Sequence, residues 1–292
     1  MKKVICFGEI LWDIFPNHQV LGGAPFNVAQ RLRSFGIESF LMSCIGNDAL
    51  GKQLLEELNQ LNFPGESIQK SDQYPTGQVQ VTLDTHGGAS YTIESPAAWD
   101  YIQMTAESSR DVQESDMLVY GSLACRNTHS RETLFHLLEA DIFKVFDVNL
   151  RPPFTDLKIL KKLMSKADLI KFNDHELIEL SIQMGFPEGS LEERMRGMAQ
   201  QTKTTHICVT LGAEGALFLS GGKLFSQSGF AVEVIDTVGA GDSFLATIVE
   251  GFLRGRTPQE FLQRACAMGA LVAASAGANP SITGSDLDAF IP

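Results

Sequence analysis

Residues 236–244, DTVGAGDSF, place three small residues, Gly239, Ala240 and Gly241, directly before a carboxylate, Asp242. An apolar helical pattern follows: Phe244, Leu245, Ile248, Val249 and Phe252. A glycine-bearing turn that opens a helix points bare backbone N–H groups forward, and the helix dipole makes that spot attractive to anions. A carboxylate at the mouth of such a site is paradoxical if the site only binds phosphate. It makes sense if Asp242 takes a proton from an alcohol while the amides of residues 239–242 hold a transferring phosphoryl group. Base and dipoles must then lie within ångströms of each other. The same residues also fit a plain acid in a first helical turn, complementing the dipole.

The surrounding chain must position this turn. Short apolar runs (KVICFGEIL, FLMSCIG, MLVYGS, IFKVFDVN, DLIKFN, HICVTLG) alternate with helical patterns at 25–35, 49–62, 128–140, 156–165, 174–184 and 191–201. Buried strands alternating with helices predict an α/β fold, a doubly wound and mostly parallel sheet with helices on both faces. Two long helical patterns, 240–254 and 258–276, and a short helix after Gly284 close the chain. Glycines mark the loops at 22–23, 46–51, 212–215 and 239–241; ligands of such sheets bind outside the carboxyl ends of the strands.

One stretch breaks the rhythm. TGQVQVTLDTHGGASYTIES alternates apolar and polar residues around a THGG turn, predicting a hairpin with Val79, Val81 and Leu83 on one face and Tyr91 and Ile93 on another. A lone hairpin is barely stable, so it is expected to pair with residues near 11–15 as a small sheet, a lid over a cleft or a dimer contact. The segment GNDALGKQ (46–53) nearly fits a P-loop, but Gln53 replaces the Ser or Thr that would hold magnesium, so phosphate binding falls to the VGAGD turn.

The chain has 292 residues and a net charge of −12, which argues against nucleic acid or an anionic membrane as a partner. Its five cysteines are scattered without C-x-x-C spacing and read as reduced apolar fillers of a cytoplasmic protein. Glu9 and Asp13 interrupt the apolar run after the N-terminal lysines, so that segment is expected to be a first strand rather than a signal peptide.

Two motifs more than 200 residues apart, GGAPFNVAQRLRSFG followed by Gly46, and DTVGAGDSFLA, resemble the two signatures of the ribokinase-like sugar kinases, the PfkB family. One departure is Thr247, where a small residue is usual; it lies one turn beyond the active end and bears on helix packing. The resemblance implies a single ribokinase-like domain over 1–292, with a small β lid from about 11–16 and 76–100. It implies Asp242 as catalytic base, Gly239, Ala240 and Gly241 as anion hole, and Arg151 of DVNLR as the cation on the phosphoryl group, its planar fork suiting phosphate. Asp13, Gly23 and Asn27 would contact the sugar, although Asn27 also suits a helix cap.

Asn173 and Glu176 of NDHE would place Mg²⁺ through water, and the same spacing is that of a capping box. Thr210, Gly212 and Gly215 would approach ATP, with Asn279 beside the base, and Asp236, Gly277 and Ser281 would surround a K⁺ ion. GEILWDIFP, PTGQVQVTLD and YTIESPAAWDYI are similar to the bacterial fructokinase branch, implying phosphorylation of D-fructose by ATP and a homodimer through the lid. Ribose, 2-keto-3-deoxygluconate or a nucleoside are the other acceptors the shared machinery would serve, and a non-catalytic sugar or nucleotide sensor is the reading outside enzymes.

Overall fold

A computed structural model describes residues 2–83, 89–186 and 188–292. The strands are β1 (Lys3–Phe7), β2 (Leu11–Ile14), β3 (Gln19–Gly22), β4 (Glu38–Gly46), β5 (Ile68–Ser71), β6 (Gly77–Leu83), β7 (Ala89–Ile93), β8 (Met117–Gly121), β9 (Phe143–Asp147), β10 (Leu169–Asn173), β11 (His206–Thr210), β12 (Gly215–Ser220) and β13 (Lys223–Ser228). The helices are α1 (Ala24–Ser34), α2 (Ala49–Gln60), α3 (Ala106–Gln113), α4 (Thr128–Leu137), α5 (Leu157–Met164), α6 (Asp174–Gln183), α7 (Leu191–Thr202), α8 (Ala240–Leu253), α9 (Pro258–Ala273) and α10 (Gly284–Phe290).

The large sheet has the order β13-β12-β11-β10-β9-β8-β1-β4-β5. It is parallel from β5 to β11, and β12 and β13 are appended antiparallel. Alternation along each strand sorts side chains onto two faces. Val4, Cys6, Leu169 and Cys208 join one core cluster, which is covered by α1, α8 and α9. Ile5, Phe7, Ile170, Phe172, Ile207 and Val209 join the other, covered by α4 to α7. The parallel strands and both helical layers are as the apolar runs predict. The β12–β13 hairpin is an addition. Its signal is Gly221-Gly222, both with positive φ (53° and 79°), the conformation that two-residue hairpin turns need.

The second sheet has the order β3-β2-β6-β7. The expected partner of the hairpin, residues near 11–15, is β2, and it pairs with β6 in parallel while its neighbours pair antiparallel. The THGG turn lies outside the described residues. The facing is corrected: Val79 lies opposite Ile93 and Val81 opposite Tyr91. Directly opposed residues of an antiparallel ladder share a face, so Tyr91 and Ile93 lie on the side of Val79 and Val81, not on a separate one. β3 runs straight from Gly22 into α1, which ties the small sheet to the main core.

All five cysteines are buried and free. Among the described residues no helix is long and apolar enough to cross a membrane. Thr247 is fully buried, and its hydroxyl donates to the Ser243 carbonyl one turn back (2.8 Å), so the departure from a small residue is absorbed within α8.

Candidate active site

Eight of the described α-helices begin with a side chain that accepts a hydrogen bond from a first-turn amide: Asp48, Thr105, Asn127, Asp156, Asn173, Ser190, Thr257 and Thr283. α1 and α8 do not. They start at Gly23 and Gly239, with positive φ (116° and 75°) and no side-chain cap. An uncapped helix start leaves N–H groups free for an anion or an acceptor, and these two starts face each other. The Nδ2 of Asn27 in α1 donates to Oδ2 of Asp242 in α8 across 2.7 Å. Asn27 is therefore not the cap of its helix.

The P-loop look-alike is closed in the opposite manner. Asp48 accepts from the Gly51 amide (2.8 Å) and from the amide and hydroxyl of Thr76 (2.8 and 2.7 Å), so its own carboxylate fills the start of α2.

Burial pushes the carboxyl of Asp242 up to about 6, with Asp147 adding to the rise, while Asn27, Lys171 and Arg151 oppose it. Above that pH it is ionised. Behind it lies Lys171 on β10, a residue that the apolar run DLIKFN conceals. Alternation places it on the Leu169 side of the sheet, under α8. It is 6% exposed, pairs with Asp147 Oδ1 at 3.0 Å, and its Nζ lies 3.4 Å from where a Cβ on Gly241 would sit. Burial pulls its ammonium down, but Asp147, Glu176 and Asp242 outweigh this and raise it to about 12. A fixed cation thus sits beneath the start of α8. The second Asp147 oxygen is buried with no hydrogen-bond partner.

The residues expected to contact the sugar come from the small sheet and the start of α1. Asp13 of β2 is pushed up to about 6 by burial, with Arg151 opposing. A Cβ on Gly22 would sit 2.5 Å from Asp13 Oδ2, the end of a side chain, whereas one on Gly23, at φ +116°, would sit 2.5 Å from the Glu9 carbonyl, so nothing larger fits at Gly23 without moving backbone. Glu9 itself is buried, its Oε2 has no hydrogen-bond partner, and burial pushes it up to about 7 while Arg151 opposes and Asp242 adds. Arg151 is exposed, hydrogen bonds to the Leu150 carbonyl (3.1 Å), and exerts its field on Asp242, Asp13 and Glu9. Trp12 and Trp99 are buried: Trp12 donates to the Leu50 carbonyl (3.1 Å), and Arg126 stacks on Trp99 at 3.9 Å. Both pack the small sheet onto the core.

Asn173 and Glu176 form a reciprocal capping box at the start of α6 (2.8 and 2.9 Å), and Glu176 also accepts from the Leu150 amide (2.9 Å). Burial raises the Glu176 carboxyl, with Asp147 adding and Lys171 opposing. This box fixes the loop that carries Arg151. His175 is exposed.

Thr210, Gly212 and Gly215 line a cavity of about 590 Å³ whose wall continues through Ala240 and Gly241 to Phe244, Cys266, Gly269, Ala270 and Ala273. The small residues Gly269, Ala270 and Ala273 of α9 form one side of the cavity, and its lining reaches Ala240 and Gly241 at the start of α8. Asp236 accepts from the amides of Val238 (3.0 Å) and Gly277 (3.1 Å), which joins two of the three expected cation-site residues; Ser281 is exposed on the same loop. Asn279 has a protein partner. It is not among the residues that line the cavity; its amide donates to Asn27 Oδ1 at 2.7 Å, in a loop that Arg31 of α1 also holds. The anchor of that loop, Arg31, was also hidden in the sequence: it is buried and donates to Ser243 Oγ and to the carbonyls of Pro280 and Ile282 (3.1, 3.0 and 3.0 Å).

Known proteins give a consistent frame. A family model described as pfkB family carbohydrate kinase matches residues 1–283. A putative sugar kinase of Pyrococcus horikoshii is 28% identical over 82% of this chain and 75% of its own. A fructokinase of Vibrio alginolyticus is 28% identical over 85% of this chain and 83% of its own. A crystal structure of a fructokinase double mutant from Vibrio cholerae O395, bound to fructose, ADP and potassium, superimposes with a TM-score of 0.85 at 25% identity, covering 100% of this chain and 99% of that one.

Proposed function

The chain belongs to the pfkB family of carbohydrate kinases, and from that premise we propose that it transfers the γ-phosphoryl group of ATP to the 6-hydroxyl of D-fructose, giving fructose 6-phosphate and ADP. The observation that carries the reading is the meeting of two uncapped helix starts at one hydrogen bond, Asn27 to Asp242.

Asp13, Gly23 and Asn27 hold the sugar against the start of α1. Asp242, ionised above about pH 6, takes the proton of the attacking hydroxyl. The amides of residues 239–242, with Lys171 beneath them, receive the charge on the transferring group, and Arg151 steadies its outer oxygens. Such a reaction is mostly positioning and charge stabilisation. Among the described residues no cluster of three or more His, Cys, Asp or Glu side chains forms a metal cage. The oxygen donors of Asn173 and Glu176, with the unpartnered Asp147 Oδ2 nearby, suit instead a hard cation that keeps its waters. Mg²⁺ held there would neutralise phosphate charge. K⁺ is assigned to the loop joined by Asp236 and Gly277, near Ser281. In this reading the whole chain is one kinase domain, the small sheet is its lid, and the exposed edge strands of that sheet pair two chains into a dimer.

The deciding experiment compares initial rates with D-fructose, ribose, 2-keto-3-deoxygluconate and a nucleoside, and identifies the product by ³¹P NMR. Fructose is expected to give the highest kcat/KM; a higher value for another acceptor moves the assignment to that acceptor, and ATP hydrolysis without an acceptor product ends the kinase reading. A pocket variant adds a finer check. Gly22→Ala places a methyl group where Asp13 Oδ2 now lies, displacing the carboxylate. Hydrogen bonds to a charged group contribute about 1.5–3 kcal/mol, so KM for the sugar is expected to rise about 10- to 100-fold with KM for ATP within about twofold. An unchanged sugar KM removes Asp13 from the pocket.

A further inference from the structure

Asn279 makes one short contact that changes its role. Its Nδ2 donates to Asn27 Oδ1 (2.7 Å), and Asn27 Nδ2 donates to Asp242 Oδ2 (2.7 Å). An amide has a donor end and an acceptor end, so fixing one end fixes the other. A carboxylate can only accept. Asn27 must therefore turn its nitrogen to Asp242, and its oxygen then needs a donor on the far side, which Asn279 supplies. The oxygen of Asn279 is left buried without a partner, so the donor end is the one the fold uses.

We propose that Asn279 is a positioning residue for the catalytic base, holding the Asn27 amide in the orientation that donates to Asp242. The loop that carries it is anchored on both sides of the relay. Arg31 binds the Pro280 and Ile282 carbonyls with one end of its fork and Ser243, the neighbour of Asp242, with the other. Ala278 fills the space beside Gly239, and Asp236 holds the Gly277 amide. The loop thereby gauges α1 against α8 and sets the register of the two helix starts. Asn279 is not among the residues that line the nucleotide cavity, and its side-chain hydrogen bond is to Asn27.

This rests on the assignment of Asp242 as base, so Asp242→Asn is measured beside the test variants. Asn279→Asp removes the donor and attracts the nitrogen of Asn27, turning its oxygen toward Asp242; kcat is expected to fall about 10- to 100-fold. Asn279→Ala only frees Asn27 and is expected to lose less, about 3- to 10-fold. In both, KM for ATP stays within about twofold, and the acid limb of the kcat–pH profile moves to higher pH, because a lost hydrogen bond to a carboxylate raises its pKa. The other groups that act on Asp242 (Asp147, Lys171, Arg151 and Glu9) are unaltered.

A loss of kcat with an unmoved limb overturns the proposal, as does a raised KM for ATP with kcat kept, which would return Asn279 to the nucleotide. If Asp242→Asn loses activity heavily while both Asn279 variants keep it, the positioning role alone falls. If Asp242→Asn keeps activity, the base assignment falls, and the positioning role falls with it.

Discussion

Asp242→Asn is expected to lower kcat by about 10²–10⁴-fold, the usual contribution of a positioned general base, while KM for sugar and ATP stay within a few-fold. The substitution is close to isosteric, and its remaining oxygen can still accept from Asn27, so the contact between α1 and α8 survives. What disappears is the ability to take a proton. The wild-type enzyme supplies a second reading of the same group. A carboxyl raised to about 6 by burial is protonated below that pH and ionised above it, so the rate is expected to rise through pH 6 and level off above it. Asp13, raised by burial into the same range, sharpens the fall of kcat/KM on the acid side but does not chemically transform the sugar. A coupled ADP assay at saturating substrates, from pH 5 to 8, measures both effects. Turnover of the variant within threefold of wild type would remove Asp242 from the chemistry.

The sequence made some of this site readable and concealed the rest, for definite reasons. Glycine before an apolar helical pattern marks an uncapped helix start, so Gly23 and Gly239 could be found by inspection, and so could the carboxylate that follows the second. The parallel sheet was equally legible, since strands buried on both faces must be apolar throughout. Lys171 was not. It interrupts one apolar run by one residue, and only the strand register reveals that it lies on the α8 side, paired with an aspartate 24 positions earlier. Arg31 reads as an ordinary charge on an amphipathic helix until the loop at 280–282 is found wrapped around it. Asn279 was placed beside the nucleotide base by the resemblance of its loop, whereas its hydrogen bond to Asn27 across 252 positions leaves no trace in local pattern. The facing of Tyr91 and Ile93 failed because alternation within one strand does not fix which face of the partner strand it matches; cross-strand register does.

Gly239→Ala is expected to lower kcat by about 10²–10³-fold, the loss seen when one preorganised anion-hole donor is removed. Gly239 has φ +75°, a region costly for a residue with a Cβ, and the added carbon would collide with the carbonyl oxygen of Ala278. Neither atom belongs to a flexible side chain. Relief requires either the 277–282 loop or the 239–242 turn to move, and the loop is held by Arg31 and Asp236. The turn is the weaker party, because its amides have no side-chain cap to hold them in place. Its displacement tilts the N–H groups away from the phosphoryl oxygens while leaving Asp242 within its helix.

Gly241→Ala is the informative contrast. There the added carbon meets the Lys171 ammonium at 3.4 Å, an ordinary contact with the end of a side chain, so its loss of kcat is expected to be at least about tenfold smaller than that of Gly239→Ala. The stability loss for Gly239→Ala is expected at about 1–3 kcal/mol by urea unfolding, the range for a residue forced into a sparse backbone region. If the two alanine variants lose the same activity, backbone geometry at the start of α8 is not what receives the phosphoryl charge, and Lys171 with Arg151 would have to carry it.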